Sequence, residues 1–368
     1  MPDPALLVLI GTKAQFIKTA PILRALDARA VPYRLVYTGQ HSETFDALER
    51  AFGTRAPDEV LVPRTEAATH GSVLAWTMRF WLAVARRLLQ RRWHGLRIGI
   101  VHGDTLSTLF GALAIRMAGA RVAHIEAGLR SPRLADPFPE EIVRRLVSML
   151  SRWHFAPDAV AVSNLRKREG VVDTRGNTLR DALTMALARI GGQPEEIPRY
   201  AIVSIHRNEN LSRRADFALL MQAIVDASRR VDLKFVLHPA TRERIRASGW
   251  LHALHAEPGL TLVERMDYPA FVRLLVGSRF LMTDGGSNQE EAAMLGIPTL
   301  LLRRTTERAD GLGDNVVMSG LDPGVIASFV ACHADASWTP RAVHGASPSE
   351  RIVATLAPLA HADRIGIS

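Results

Sequence analysis

Asp104, Glu126, Glu140 and His206 are the residues of this chain whose types and places best suit acid–base chemistry. Asp104 follows Gly103 at the carboxyl end of the apolar run in Val101-His-Gly-Asp-Thr105. Glu126 closes the next such run, in His124-Ile-Glu-Ala-Gly-Leu-Arg130, and Glu140-Glu141 opens a helix after Pro139. Each has an ordinary reading when taken alone. Asp104 suits the N-cap of a helix beginning at Thr105, and glutamates in a first helical turn favour the helix dipole. Three such carboxylates close together in one domain are more than caps require. Carboxylates that share a site push one another's pKa towards the working range of acid–base catalysis. In the second half, Ile202-Val-Ser-Ile-His-Arg-Asn-Glu-Asn210 places His206 and Arg207 at a strand end. A polar run follows them instead of an immediate helix, and Leu237-His-Pro239 ends the next strand with His238. Neither histidine has metal-ligand spacing, so no metal is expected.

A second constellation suits an anion. Leu281-Met-Thr-Asp-Gly-Gly-Ser-Asn-Gln-Glu-Glu-Ala-Ala-Met-Leu-Gly-Ile-Pro-Thr-Leu300 reads as strand, Gly-rich turn, helix and strand. Backbone N–H groups at that helix start, around Gly285, Gly286 and Ser287, form a cradle for phosphate. Glu290 and Glu291 repel phosphate but accept hydrogen bonds from sugar hydroxyls, so the segment points to a nucleotide. Lys13, in the turn Ile10-Gly-Thr-Lys-Ala-Gln15, is placed to reach a phosphate. The run Leu302-Arg-Arg-Thr-Thr-Glu-Arg308 adds cations suited to an anionic ligand.

These residues need a scaffold that brings strand ends together. Short continuous apolar runs at Ala5–Ile10, Tyr33–Tyr37, Ile98–His102, Val122–Ile125 and His154–Phe155 alternate with amphipathic stretches. The second half repeats this at Tyr200–Ile205, Lys234–Leu237, Leu260–Val263, Phe280–Thr283 and Pro298–Leu302. Such runs are parallel strands covered on both faces, and the alternation predicts α/β folding. The pattern pauses at the polar linker Gly191–Pro198. Two Rossmann-like, doubly wound parallel-sheet domains follow, with ligands beyond the carboxyl ends of the strands in an interdomain cleft. The expected division is 1–178 and 179–348, with a C-terminal helix in 349–368 returning to the first domain.

At 368 residues the chain has room for two cores, and 47% hydrophobic with 23% charged residues is ordinary for a globular protein. No apolar run spans a bilayer and no basic leader opens the chain, so a cytoplasmic location is expected. The single cysteine, Cys332, excludes an intrachain disulfide. The net charge of +9 rests on arginine, since only Lys13, Lys18, Lys167 and Lys234 are lysines. No basic run with interleaved aromatics matches a nucleic-acid module, so no nucleic-acid partner is expected. The aromatic, arginine-rich stretch 76–93 has two readings. One is a core helix with a solvated basic end, and the other a peripheral membrane contact.

Taken in order, His102-Gly-Asp-Thr, Glu126-Ala-Gly-Leu-Arg, Pro139-Glu-Glu, His206-Arg-Asn-Glu-Asn, His238-Pro and Asp284-Gly-Gly-Ser-Asn-Gln-Glu-Glu resemble the UDP-N-acetylglucosamine 2-epimerases, from about Gly11 to Gly313. The resemblance implies the GT-B architecture, an isomerase that inverts C2 of a UDP-sugar, and no cofactor. It implies catalytic roles for Asp104, Glu126, Glu140 and His206. It implies UDP contacts from Lys13, Arg207, His238, Gly285, Gly286, Ser287 and Glu291, and a homodimer is expected. Three departures stand out. The first turn has Lys13 and Gln15 where the family usually has arginine and glutamate. The serine of the diphosphate loop has moved behind Gly286, and Ser42 and Glu43 break the activator-binding pattern after Gln40-His41. A hydrolysing epimerase, a GT-B glycosyltransferase acting on a lipid-linked acceptor and a non-enzymatic sugar-nucleotide sensor are the alternatives.

Overall fold

The computed structural model describes residues 4–40, 45–63, 70–131, 139–191, 200–306 and 308–361. It divides into two compact units, residues 1–185 with 345–368 and residues 186–344. The first unit runs β1 (Leu6–Ile10), α1 (Lys13–Ala28), β2 (Tyr33–Tyr37), α2 (Phe45–Phe52), β3 (Glu59–Val60), α3 (His70–Leu89), β4 (Ile98–His102), α4 (Leu106–Met117), β5 (Arg121–Ile125), α5 (Glu140–Leu150), β6 (Ser151–Ala156), α6 (Ala159–Asn164), β7 (Val171–Asp173) and the first part of α7 (Leu179–Ile190), which passes into the second unit after Met185. Its strands form one sheet in the order β3-β2-β1-β4-β5-β6-β7, and every pairing is parallel. All five residues of β1 and all five of β4 are buried, because helices cover both faces.

The second unit continues with β8 (Tyr200–Ile205), α8 (Asn208–Ser212), α9 (Arg214–Ser228), β9 (Asp232–Leu237), α10 (Pro239–Ala247), α11 (Trp250–Ala256), β10 (Leu260–Glu264), α12 (Tyr268–Val276), β11 (Ser278–Thr283), α13 (Gly286–Leu295), β12 (Thr299–Leu301), β13 (Val316–Met318) and α14 (Pro323–His333). Its sheet is also wholly parallel, in the order β10-β9-β8-β11-β12-β13. The last helix, α15 (Pro348–His361), belongs to the first unit and packs on α1. Asp181 accepts hydrogen bonds from Ser347 Oγ and Ser349 N, which fixes the start of α15.

Both strand orders reverse once. In the first sheet the chain winds outward from β1 in one direction and from β4 in the other; in the second, β8 and β11 play those parts. Connections on either side of such a point leave through opposite faces, so a crevice opens beyond the carboxyl ends of the two central strands. Residues 11–13 and 103–104 follow β1 and β4. Residues 206–207 and 284–286 follow β8 and β11.

The cap of α4 is Thr105, whose side chain accepts from Thr108 N in a reciprocal capping box, so Asp104 has no capping duty. In α3, Trp76 and Phe80 are fully buried, with Phe110 against both rings, and Trp93 beyond the helix is buried as well. The aromatics of 76–93 therefore build the core, while Leu74, Met78, Leu82 and Leu89 face outward. No helix among the described residues is long and apolar enough to cross a membrane. Most of the linker 191–198 and residues 41–43 of the activator-binding pattern lie outside the described residues.

Candidate active site

Around the β1/β4 crevice the carboxylates are tied to cations. Lys18, on the buried side of α1, places its Nζ 2.7 and 2.9 Å from the two oxygens of Glu126. Both side chains are nearly inaccessible, and Asn177 Nδ2 donates to Glu126 Oε1 at 2.7 Å. Glu126 itself has φ of +60°, the left-handed region that residues with a Cβ rarely occupy. A backbone held there costs about 1–3 kcal/mol and persists where the surroundings demand it. Here the demand is the turn that brings the carboxylate from the end of β5 to Lys18. His102 Nδ1 lies 3.7 Å from Glu126. Burial is the main cause that pushes the His102 pKa down to about 3, so the ring is neutral.

Asp104 is more open, and Arg144 of α5 holds it through Nε at 2.8 Å and through a terminal nitrogen at 2.7 Å, both on Oδ2. Glu140 is the first residue of the same helix and is half-buried. Its neighbour Glu141 is fully buried. Lys13 is the first residue of α1, and Thr12 with Gln15 caps that helix reciprocally. Gln15 also explains one departure in the sequence. Its carbonyl accepts from Gly11 N and Thr12 N, while its amide donates to His102 O, Thr105 Oγ1 and Thr108 Oγ1. An ionised carboxylate has no proton to give the His102 carbonyl; an amide makes both sets of bonds.

In the second unit Asp284 organises the crevice. It is fully buried and accepts from His206 N at 2.9 Å, Arg207 N at 3.0 Å and Asn210 Nδ2 at 3.0 Å. The end of β8 is thereby fastened to the end of β11. His206 Nδ1 lies 3.4 Å from the same carboxylate, and its ring stacks on His238 with centroids 4.5 Å apart. Although 37% of the His206 side chain is accessible, packed protein beside it lowers its pKa. Asp284 opposes that effect, and Arg207, Arg265 and Arg303 reinforce it.

Gly285 is the N-cap of α13 and contributes no side-chain cap, which leaves first-turn N–H groups for an incoming anion. A Cβ on Gly285 would meet His206 Cε1 at 2.8 Å, and one on Gly286 would meet Arg308 Nε at 2.9 Å. Close approach to the His206 ring, not positive φ, constrains Gly285, whereas beside Gly286 the Arg308 side chain can give way. Ser287 occupies the second helical position and is half-buried. Glu290 is bound by Arg308 at 2.8 Å. Glu291 is 2% accessible and faces the Tyr268 hydroxyl, whose pKa is raised well above the usual value, first by burial and then by this carboxylate.

The chain matches the family described as UDP-N-acetylglucosamine 2-epimerase over residues 24–356. The chain belongs to this family. The UDP-N-acetylglucosamine 2-epimerase of Methanococcus maripaludis is 30% identical, over 88% of this chain and 90% of its own. A probable enzyme of the same name from Ralstonia solanacearum is 32% identical over 83% and 84%. Among solved structures, the Methanocaldococcus jannaschii enzyme in complex with UDP-GlcNAc and UDP superposes with a TM-score of 0.82 at 27% identity, covering 96% of this chain and 99% of that one. The Neisseria meningitidis enzyme bound to UDP-GlcNAc gives 0.79 at 27% identity, with the same coverage. As a member of this epimerase family the protein is an isomerase with the GT-B fold, and neither a hydrolysing variant nor a transferase is favoured by these relatives.

Within the family frame the structure groups the sequence candidates by unit. Asp104, Glu126, Glu140 and Lys13 belong to the first; His206, Arg207, His238, Gly285, Gly286, Ser287 and Glu291 belong to the second. Lys18, Asn177 and Arg144 carry polar contacts that motif spacing did not reveal. Lys18 had one available signal, a lone lysine in the apolar stretch Phe16–Leu23. Asp284 was legible only as part of a Gly-rich turn, and its role as acceptor for two backbone N–H groups was not.

Proposed function

We propose that this protein interconverts UDP-N-acetylglucosamine and UDP-N-acetylmannosamine. The observation that carries this reading is Asp104 after β4 and Glu126 after the neighbouring β5, each bound to a buried cation. In the reaction a base removes the proton from C2 and the C1–O bond breaks. The electron pair leaves with UDP, and a C1=C2 double bond remains. An acid then delivers a proton to the other face of C2 and the UDP oxygen re-adds at C1. Two acid–base groups on opposite faces are required, and Asp104, Glu126 and Glu140 supply the carboxylates. Lys18 and Arg144 keep the buried charges compensated while protons move.

The second unit holds the nucleotide in this reading. N–H groups at Gly285, Gly286 and Ser287 take the diphosphate, with Arg207 and His238 as further donors, and Glu291 accepts from the ribose hydroxyls. Burial lowers the His206 pKa, and diphosphate charge that arrives or develops beside the ring favours its protonated form. The test is incubation with UDP-N-acetylglucosamine in deuterated water. Deuterium at C2 together with UDP-N-acetylmannosamine is expected. An intact C2–H despite measured UDP binding sinks the proposal, and free sugar selects the hydrolysing outcome.

The protein is further proposed to be a homodimer in the cytoplasm. Leu74, Met78 and Leu82 project from α3, and Ile142, Leu146 and Met149 from α5. Both helices pack on α4, and apolar rows of this kind on neighbouring helices mark an interaction face. Trp76, Phe80 and Trp93 lie in the core and Trp81 is half-buried against Phe80 and Phe110, so the large exposed side chains of the face are aliphatic, unlike the aromatic belt of an interfacial anchor. A second copy suits it better than a membrane.

A further inference from the structure

Glu141 is absent from the assignments above, yet its partners are the arginine that holds Asp104 and the segment that follows Glu126. It is the second residue of α5 and has no accessible surface. A glutamate serving only the helix dipole has no need of burial, and leaving water costs an ionised carboxylate several kcal/mol unless partners compensate. Its partners lie on both sides. Ser131 N donates to Oε2 at 2.9 Å, and Arg145 Nε donates to Oε1 at 2.8 Å. A terminal nitrogen of Arg144 stands 3.6 Å from Oε2.

Arg144 is the informative partner. Its Nε and its other terminal nitrogen are both on Asp104, so one edge of the guanidinium faces Asp104 and the remaining nitrogen faces Glu141. Arg144 is 7% accessible, which leaves the planar fork few other orientations. Ser131 lies five residues after Glu126 on the segment leaving β5, and Glu140 is the immediate neighbour on α5. Glu141 is therefore joined to the segments that carry all three catalytic candidates of this unit.

We propose that Glu141 is a positioning residue for the epimerisation, aiming Arg144 at Asp104 and pinning the segment after Glu126 to α5. The proposal rests on the functional reading of Asp104 and Glu126 given above. Arg145, half exposed on the outer side, neutralises Glu141 but takes no part in the aim.

The experiment compares wild type, Glu141→Gln, Arg144→Ala, their double variant and Arg145→Met. Steady-state kcat and KM for UDP-N-acetylglucosamine and the thermal midpoint are measured for each. Glu141→Gln keeps an acceptor for Ser131 N and loses the charge that holds Arg144. Its kcat is expected to fall about tenfold with KM nearly unchanged, a size typical of coupled residues in one network. In the Arg144→Ala background the same change is expected to cost less than twofold. Arg145→Met is expected to leave kcat within twofold of wild type. Equal losses in both backgrounds, or a loss in Arg145→Met matching that of Glu141→Gln, assign Glu141 to stability alone and overturn the proposal. Where Glu141→Gln does not fold, Glu141→Asp takes its place in the same cycle. A wild type without C2 exchange overturns the functional reading itself, so the two failures are told apart.

Discussion

At the scale of the residue, the Glu126–Lys18 pair shows how a buried ion pair can be retained for function. Such pairs are often no more stabilising than an apolar replacement, whereas breaking one by removing a single partner costs about 3–5 kcal/mol. Lys18→Met is therefore expected to lower the thermal midpoint and to reduce kcat by at least about a hundredfold, near the loss for removing one charged contact from a site. Glu126→Gln is expected to lose as much activity with a smaller change in midpoint, because an amide can still accept from Lys18 and Asn177. UDP affinity, measured by calorimetry, is expected to stay within threefold in both. Comparable loss of UDP binding would place Glu126 in nucleotide recognition and remove it from the chemistry. None of this pairing was legible locally, since Lys18 and Glu126 are 108 positions apart.

At the scale of the element, the turn from β11 into α13 depends on absent side chains. Gly285→Ala puts a methyl 2.8 Å from His206 Cε1, and the Asp284 bonds to both neighbouring N–H groups leave the end of β8 little freedom to retreat. The expected outcome is UDP binding at least tenfold weaker by calorimetry, with a midpoint change of only a few degrees. Unchanged affinity would mean that the α13 start is not the diphosphate site. The strand–turn–helix sequence of this segment was readable from its apolar run and glycines. The reason for Gly285 was not, because His206 arrives from elsewhere in the chain. Thr105 as the cap of α4 was likewise a close decision against Asp104, and Gln15 with Thr108 made it. In α3 the periodicity predicted a helix correctly, but which face is buried was settled by Phe110 of α4.

At the scale of the whole molecule, the entire +9 surplus belongs to the first unit, and the second is balanced. Arg79, Arg86, Arg87, Arg91, Arg92 and Arg97 lie between His70 and Gly103 with no acidic residue among them. Sedimentation is expected to report a dimer, and Met78→Glu with Leu82→Glu on α3 to yield a monomer. A dimer that survives both changes excludes that face, and binding to anionic vesicles by wild type would favour the membrane instead. The buried histidines set a pH dependence. His102 and His124 are held neutral chiefly by burial, with pKa values lowered to about 3 and about 4. In the unfolded chain both would titrate near about 6.5. Below that pH the unfolded state binds more protons, so stability is fully present above it and falls as the pH drops towards the folded values. The slope is ~1.4 kcal/mol per pH unit for each histidine. The urea midpoint is expected to decrease from about pH 7 to pH 5, and His102→Asn to make that decrease shallower.

The sequence by itself determined the two parallel α/β units, the strand ends that carry the polar groups and the family. These follow from local periodicity, turn residues and the order of motifs, all written along the chain. Tertiary structure alone decided which charges meet. Arg144 reaches Asp104 across 40 positions, and Asp284 gathers His206 across 78. A parallel sheet makes this inevitable, since each crossover returns the next strand end to the same edge after a whole helix. Neighbours at that edge are therefore distant in sequence, and no local pattern records their pairing.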